Sequence, residues 1–126
     1  MTQADVRKIQ LAKAPIAAGI QILLQEKDWK IKDIDQVILA GGFGSYMRKE
    51  SAAEIGLIPK ELVKCTHSVG HAAGEGAVSA ALASEARTEL EQLQKQMRYV
   101  ELSTHEAFSD IFIREMSFTN SYMRSE

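Results

Sequence analysis

Cysteine is almost absent: Cys65 is the only one in 126 residues. No disulfide can therefore form within the chain, and a reducing, cytoplasmic setting is favoured. No apolar run approaches the ~18 residues that a membrane-spanning helix requires. The N-terminus, Met1-Thr2-Gln3-Ala4-Asp5, lacks the basic stretch and apolar block of a signal peptide. Positive charge is not in surplus, with 15 Lys and Arg against 17 Asp and Glu, and no basic stripe is present that would hold nucleic acid. Internal repeats and low-complexity linkers are missing. So is the nucleophile–base pair or metal set expected of a complete small enzyme. What remains is 45% hydrophobic and 25% charged, the ordinary make-up of a globular chain long enough for a single domain over residues 1–126.

Thr2 followed by Asp5 reads as a helix start, a hydroxyl cap with an acid in the first turn. Val6, Ile9, Ala12, Ile16, Ile20, Leu23 and Leu24 continue at helical spacing, with a second apolar stripe at Leu11, Pro15, Ala18 and Ile22. Such a helix is expected to be buried on two sides, and Pro15 should kink it. Arg7 and Lys13 read as its solvated edge, or as groups facing a nucleotide or partner. Val37 to Ala40 reads as a fully buried, central, parallel strand that runs into Gly41-Gly42. Lys49 to Ile55 reads as a short helix stopped at Gly56, and a further short strand is expected within Val63 to Val69. Ala72 to Ala83 is a small-residue helix pressed close against a neighbour. Ser84 should cap a polar helix reaching Met97. Tyr99 to Leu102 alternates as a strand would, and Ser103 with Glu106 forms a capping box before a last helix with Phe108, Phe112 and Met116 on one face. Residues 119–126 read as a frayed tail. The alternation of elements predicts an α/β layer architecture.

The segment Leu39-Ala40-Gly41-Gly42-Phe43-Gly44-Ser45-Tyr46 carries the chemistry. A strand that ends in a glycine pair lets a ligand touch the backbone, and ligands gather at the carboxyl ends of strands in open α/β sheets. Exposed N–H groups there suit phosphate or ribose oxygens. A bare Gly-Gly is more often only a tight turn. The small-residue segment Gly70 to Leu82, one layer further along, tips the balance towards a nucleotide cradle.

Together these two motifs resemble the adenosine motif and closing helix of the actin-like ATPase superfamily. The likeness narrows through Thr2-Gln3, Asp5-Val6-Arg7, Gln10, Ala12-Lys13, Leu39 to Gly44, Tyr46, Ser51-Ala52, Ile55-Gly56-Leu57, Pro59 and Tyr99 to Ser103. These residues resemble the C-terminal domain of reductive activators of corrinoid proteins. The resemblance implies a partial actin-like (ribonuclease H-like) lobe, with a short, mostly parallel sheet packed by helices, belonging to a larger polypeptide. It implies that Gly41, Gly42, Phe43, Gly44 and Ser45 contact nucleotide, with Gly74, Gly76 and Ala77 on a supporting helix. Tyr46 either stacks on the adenine or caps the core. ATP or ADP with Mg²⁺ would be shared with another lobe, and the iron–sulfur cluster would sit in another domain, since one cysteine cannot supply its roughly four ligands. The implied activity returns Co(II) corrinoid proteins to Co(I) for methyl transfer. The partners are then a corrinoid protein and the parent's other domains, with a homodimer also open if Phe108, Phe112 and Met116 form an exposed patch. The alternative is a docking lobe that binds the corrinoid protein without ATP. The chain departs from the family pattern at Pro15, Ser45 and His71. Cys65, His67 and His71 invite a metal check, but no fourth ligand is near in sequence. Cys65 reads as a small buried residue, and no metal or catalytic residue is assigned.

Overall fold

The computed structural model describes residues 1–118. Helix α1 runs from Gln3 to Lys27. Its start is the expected box: Asp5 N–H donates to Thr2 Oγ1 at 3.2 Å, and Thr2 N–H donates to the Asp5 carboxylate at 2.9 Å. The Thr2 N–H first, and then the Thr2 hydroxyl, which donates to the same carboxylate at 2.8 Å, hold the Asp5 carboxyl below its usual range. Pro15 lies inside the helix without ending it, although it removes one ladder bond. The helix stops at Asp28, whose φ of 53° is left-handed.

Only one side of α1 is covered among the described residues: Ala14, Ala17, Ala18 and Ile22 are buried, whereas Ile9, Ile16 and Leu23 on the opposite stripe are 37%, 39% and 51% exposed. The expectation of two buried sides therefore fails. The buried face receives α6 (Phe108–Glu115), and Ala18, Ile22 and Ile111 form a core with Val100, Leu102, Ala107, Phe108 and Phe112 packed around it. Full burial of an isoleucine contributes about 1.5–3 kcal/mol, so Ile22 and Ile111 anchor this contact. Phe108 and Phe112 thus pack against this core as a stripe on one face of α6. Lys13, expected at a solvated edge, is also inside at 2% exposure. It lies on the covered face, and the chain supplies Glu115 opposite it.

Two further expectations on this side are corrected. Tyr99 to Leu102 forms no strand. Its alternation is real, because Val100 and Leu102 join the core while Glu101 points out to bond Tyr99 and Ser103; among the described residues no neighbouring strand offers a ladder. The Ser103–Glu106 box does not form either, since Ser103 Oγ donates to Glu101 at 2.6 Å and α6 begins only after Ala107. Arg98 and His105 both meet Glu26, which holds this segment to the end of α1.

A second core lies under α3 (Lys49–Glu54). Ala52, Ala53, Leu57 and Ile58 are buried, with Met47, Ile55 and Val63 against them. The stop is at Gly56, with φ 78°, where Gly56 N–H donates to Ala53 O and Leu57 N–H donates to Ala52 O. This Schellman closure satisfies the last carbonyls of the helix and needs a residue tolerant of positive φ. A 3₁₀ turn over Lys60–Cys65 then feeds a short strand.

Strand β1 (Val37–Leu39) and strand β2 (Thr66–Ser68) pair in parallel, with Val37 opposite Thr66 and Leu39 opposite Ser68. The expected parallel strand is present, but it is neither central nor fully buried among the described residues: the sheet has two strands, and Ile38 is 59% exposed. Helices α4 (Ala72–Leu82) and α5 (Ser84–Gln96) follow as a pair in which no residue is buried. Ser84 makes no cap, because Ala83 occupies the cap position. The architecture is α/β, mostly helical around a short parallel sheet. Among the described residues no helix is long and apolar enough to cross a membrane. The expected frayed tail at 119–126 lies outside the described residues.

Candidate functional site

The carboxyl ends of β1 and β2 carry the two glycine segments, and the backbone zips them together. Val69 N–H donates to Leu39 O at 2.8 Å, and Gly41 N–H donates to Gly70 O at 2.9 Å. The parallel register thus continues past both strands, so that residues 41–46 and 70–71 share one edge. Gly41 makes the turn possible with φ 68°, a conformation that L side chains adopt only with strain.

Helix α2 (Gly41–Tyr46) starts from this turn. Gly44 N–H reaches Ala40 O, which leaves the N–H groups of Gly42 and Phe43 in the first turn, where a helix has no internal acceptor. A Cβ built on Gly42 or on Gly70 meets nothing within 4 Å. The backbone at those two positions is open to a ligand.

Gly44 has a different role. A Cβ there would lie 2.1 Å from Leu39 O and 2.3 Å from Val69 O. Its open side is filled by the carbonyls that end both strands, so it seats α2 on the sheet. Ser45 Oγ donates back to Gly41 O at 3.2 Å, and its hydroxyl serves the turn. Tyr46 is 91% exposed, which removes the core-capping reading and leaves its ring at the edge. Phe43 sits in the first turn of α2.

His71 precedes α4 without capping it through its side chain. Gly74, Gly76 and Ala77 lie on α4, but among the described residues they do not press against a neighbour: a Cβ on Gly76 meets nothing within 4 Å, and one on Gly74 meets only the His71 Cβ, at 4.0 Å. The small-residue helix is thus attached to the glycine edge at its first turn and uncovered beyond it.

Cys65 is half-buried, with its thiol on Leu62 O. Next to it Thr66 is buried and donates to the same carbonyl at 2.7 Å, fixing the start of β2. Among the described residues no group of His, Cys, Asp and Glu is placed to hold a metal ion. Lys49 extends to Thr66 O at 3.3 Å, so its ammonium braces β2. A groove of about 470 Å³ between α1 and α6, lined by Gln25, Asp110 and Arg114 among others, lies away from the glycine edge. The edge itself is a shelf, on which a ligand would need a second wall to be enclosed.

Sequence reading missed the cluster of Lys13, Gln21 and Glu115. Gln21 Nε2 donates to Glu115 Oε1 at 2.5 Å, and Lys13 Nζ stands 3.9 Å from Glu115 Oε2. The one available signal was the i, i+4, i+8 placement of Lys13, Ala17 and Gln21 on a single helical face.

Comparison with known proteins bears on the fold and family. The family model described as the C-terminal domain of RACo, the ASKHA domain, matches residues 1–125. The corrinoid activation enzyme RamQ of Eubacterium limosum is 32% identical over 123 residues, which is 98% of this chain and 21% of that protein. The solved structure of a reductive activator for corrinoid, iron–sulfur protein superposes with a TM-score of 0.81 at 37% identity, over 90% of this chain and 18% of the other. The chain therefore spans about a fifth of the length of these relatives. It belongs to the family of RACo C-terminal domains, with the ASKHA fold.

Proposed function

We propose that this chain acts in corrinoid activation as the adenosine-binding lobe of an ATP-dependent reductive activator. The observation that carries the reading is the shared edge: in a chain of this family, Gly41–Tyr46 and Gly70–His71 are zipped side by side at the ends of two parallel strands. The side on which a Cβ would stand at Gly42 and Gly70 is open, so sugar or phosphate oxygens can approach the backbone there closely. The N–H groups of Gly42 and Phe43 orient those oxygens. Gly44 seats the helix that presents them, and Tyr46 borders the base.

ATP with Mg²⁺ would supply the phosphoryl chemistry, and its metal ligands belong to another part of the site. The present residues bind and orient; none is assigned a catalytic step. An iron–sulfur cluster does not fit this chain, since Cys65 is its only cysteine. The electron that takes a corrinoid from Co(II) to Co(I) would enter elsewhere. RamQ, by name, acts in corrinoid activation, and a corrinoid protein is the proposed partner here.

A second reading, protein docking without ATP, draws on the α4–α5 pair, which exposes Val78, Leu82, Leu90, Leu93 and Met97. An amide NMR titration with ADP and Mg²⁺ separates the two. Saturable shifts on Gly41–Tyr46 and Gly70–Gly76 support the nucleotide reading. A dispersed spectrum without shifts, followed by capture of the cognate corrinoid protein in the absence of nucleotide, supports docking.

A further inference from the structure

We propose, on the reading of the glycine edge as a nucleotide site, that the α4–α5 pair is a conditionally ordered arm and that a ligand held at this edge orders it by nucleating α4. From Ala72 to Gln96 no residue is buried among the described residues. The half-buried positions are Gly76, Ala80, Ala83 and Ala86, all small, so the contact between the two helices removes little apolar area from water. Val78, Leu82, Leu90, Leu93 and Met97 stay exposed. Helix α1, by contrast, buries Ala14, Ala17, Ala18 and Ile22 and shares a core with Ile111. Segments with few buried apolar contacts open locally at far lower free energy than a core does.

Local sequence does little to hold these helices. Helix α4 has 11 residues and α5 has 13, and isolated helices shorter than about 12–15 residues are marginal in water. Gly76, inside α4, lowers its tendency to form helix by about 5-fold relative to alanine. Ser79 Oγ donates to Glu75 O at 3.0 Å, a back-bond that slightly weakens a helix. His71 holds the cap position of α4 without a side-chain cap. What limits such a helix is its first turn: nucleation carries a factor of roughly 10⁻³, whereas each later residue adds with a factor near 1.

The glycine edge supplies that turn. Gly70 O accepts the Gly41 N–H at 2.9 Å and the Ala72 N–H at 2.9 Å. One carbonyl thus joins the segment that faces the ligand to the first residue of α4. Glu75 N–H then donates to His71 O at 3.0 Å and closes the first helical turn. A nucleotide resting on Gly42 and Gly70 fixes the backbone around this carbonyl, and with it the geometry of the turn. It need not touch α4 beyond Gly76; the rest of α4 and its contact with α5 follow from the nucleus. The coupling is reciprocal, so whatever orders α4 also tightens the ligand. Apparent affinity then scales with the fraction of chains whose arm is already ordered. Occupancy of the edge is read out as order in the helices that carry Val78, Leu82, Leu90 and Leu93.

Hydrogen exchange of the chain, read by NMR with and without ADP and Mg²⁺, tests this. Without ligand, the amides of Ala77–Leu93 should be at least about 100-fold less protected than those of Ala17–Ile22. Saturating ADP should raise protection of Ala77–Leu82 by about 10-fold or more; a rise there reports coupling, because amides that exchange by local opening do not sense global stabilisation. G76A, whose methyl meets nothing within 4 Å, should raise α4 protection about 5-fold in the free chain and tighten ADP by up to that factor. A77G should move both quantities the other way. Equal protection of α4–α5 and α1 in the free chain would overturn the conditional arm. ADP-dependent shifts on Gly41–Tyr46 with unchanged protection beyond Ala77 would overturn the coupling and leave the edge a nucleotide site. So would a G76A chain that gains protection at unchanged affinity. The absence of any ADP-dependent shift would instead overturn the nucleotide reading, and the coupling with it.

Discussion

Replacing Gly44 with alanine tests how α2 is seated. The added methyl would stand 2.1 Å from Leu39 O and 2.3 Å from Val69 O, and 2.9 Å from Leu39 C. All three are backbone atoms, so no rotamer change can relieve the contact. Ordinary Cβ contacts begin near 3.4 Å, so α2 must lift by roughly 1 Å or the strand ends must part. Overpacking of this size typically costs 1–3 kcal/mol. Here Leu39 O also accepts the Val69 hydrogen bond at 2.8 Å, and weakening it adds about 1 kcal/mol. A loss near 3 kcal/mol follows, on the order of 100-fold in the folding equilibrium. Gly42→Ala is the control, because its methyl enters open space and a helical glycine replaced by alanine gains up to about 1 kcal/mol. Urea unfolding followed by circular dichroism should show a lower midpoint for G44A at unchanged slope, and an equal or higher midpoint for G42A. G44A as stable as the parent would refute the seating role.

Three other perturbations probe the site and the helix ends. Gly42→Val should leave the fold intact yet abolish ADP-dependent amide shifts, because the branched side chain occupies the shelf; unchanged affinity would defeat the assignment of that edge. The Asp5 carboxyl is held below about 3.8 by its bonds to Thr2, so the cap contributes fully above that pH and is lost as pH falls through the lower folded value; stability of D5N should not show this acid-side loss. Lys13 has the opposite window. Its folded pKa lies below 10.5, so the burial penalty is complete below the folded value and is relieved as pH rises from there towards 10.5. Stability of the parent should therefore rise relative to a K13M/E115L double variant as pH approaches 10.5, as read from urea midpoints at each pH.

Some local closures are legible in the chain and its distant contacts are not, and even among the local ones the Ser84 cap and the Ser103–Glu106 box do not form. Thr2 with Asp5 and Gly56 after Ala53 could be read directly, because a cap is decided by residues three or four apart. The run from Val37 into Gly41-Gly42 was legible for the same reason, and with it the presence of a glycine edge. What covers each face was not legible. Ile38 looks buried by composition, yet its exposure depends on what lies across the sheet. Tyr99 to Leu102 has the alternation of a strand, but a ladder needs a partner strand, and among the described residues none lies beside it. Lys13 carries a charge and so reads as solvated, until Glu115 arrives from the far end of the chain to enclose it. Gly44 shows the same limit within the site: sequence makes it one more contact glycine, and only the positions of Leu39 O and Val69 O reveal it as a seat.

The contact between α1 and α6 also bears on synthesis. Ile22 and Ile111 belong to one core, yet about 90 residues must be made after the first before the second exists. At ribosomal rates of roughly 5–20 residues per second, that is an interval of roughly 5–20 s. Throughout it, the alanine face of α1 has no α6 to cover it, and the Lys13 ammonium remains in water. The emerging chain can close its Thr2 cap and the Gly56 turn early. Its terminal core waits for the last helix, and in that interval a chaperone or a neighbouring nascent chain meets the uncovered face first.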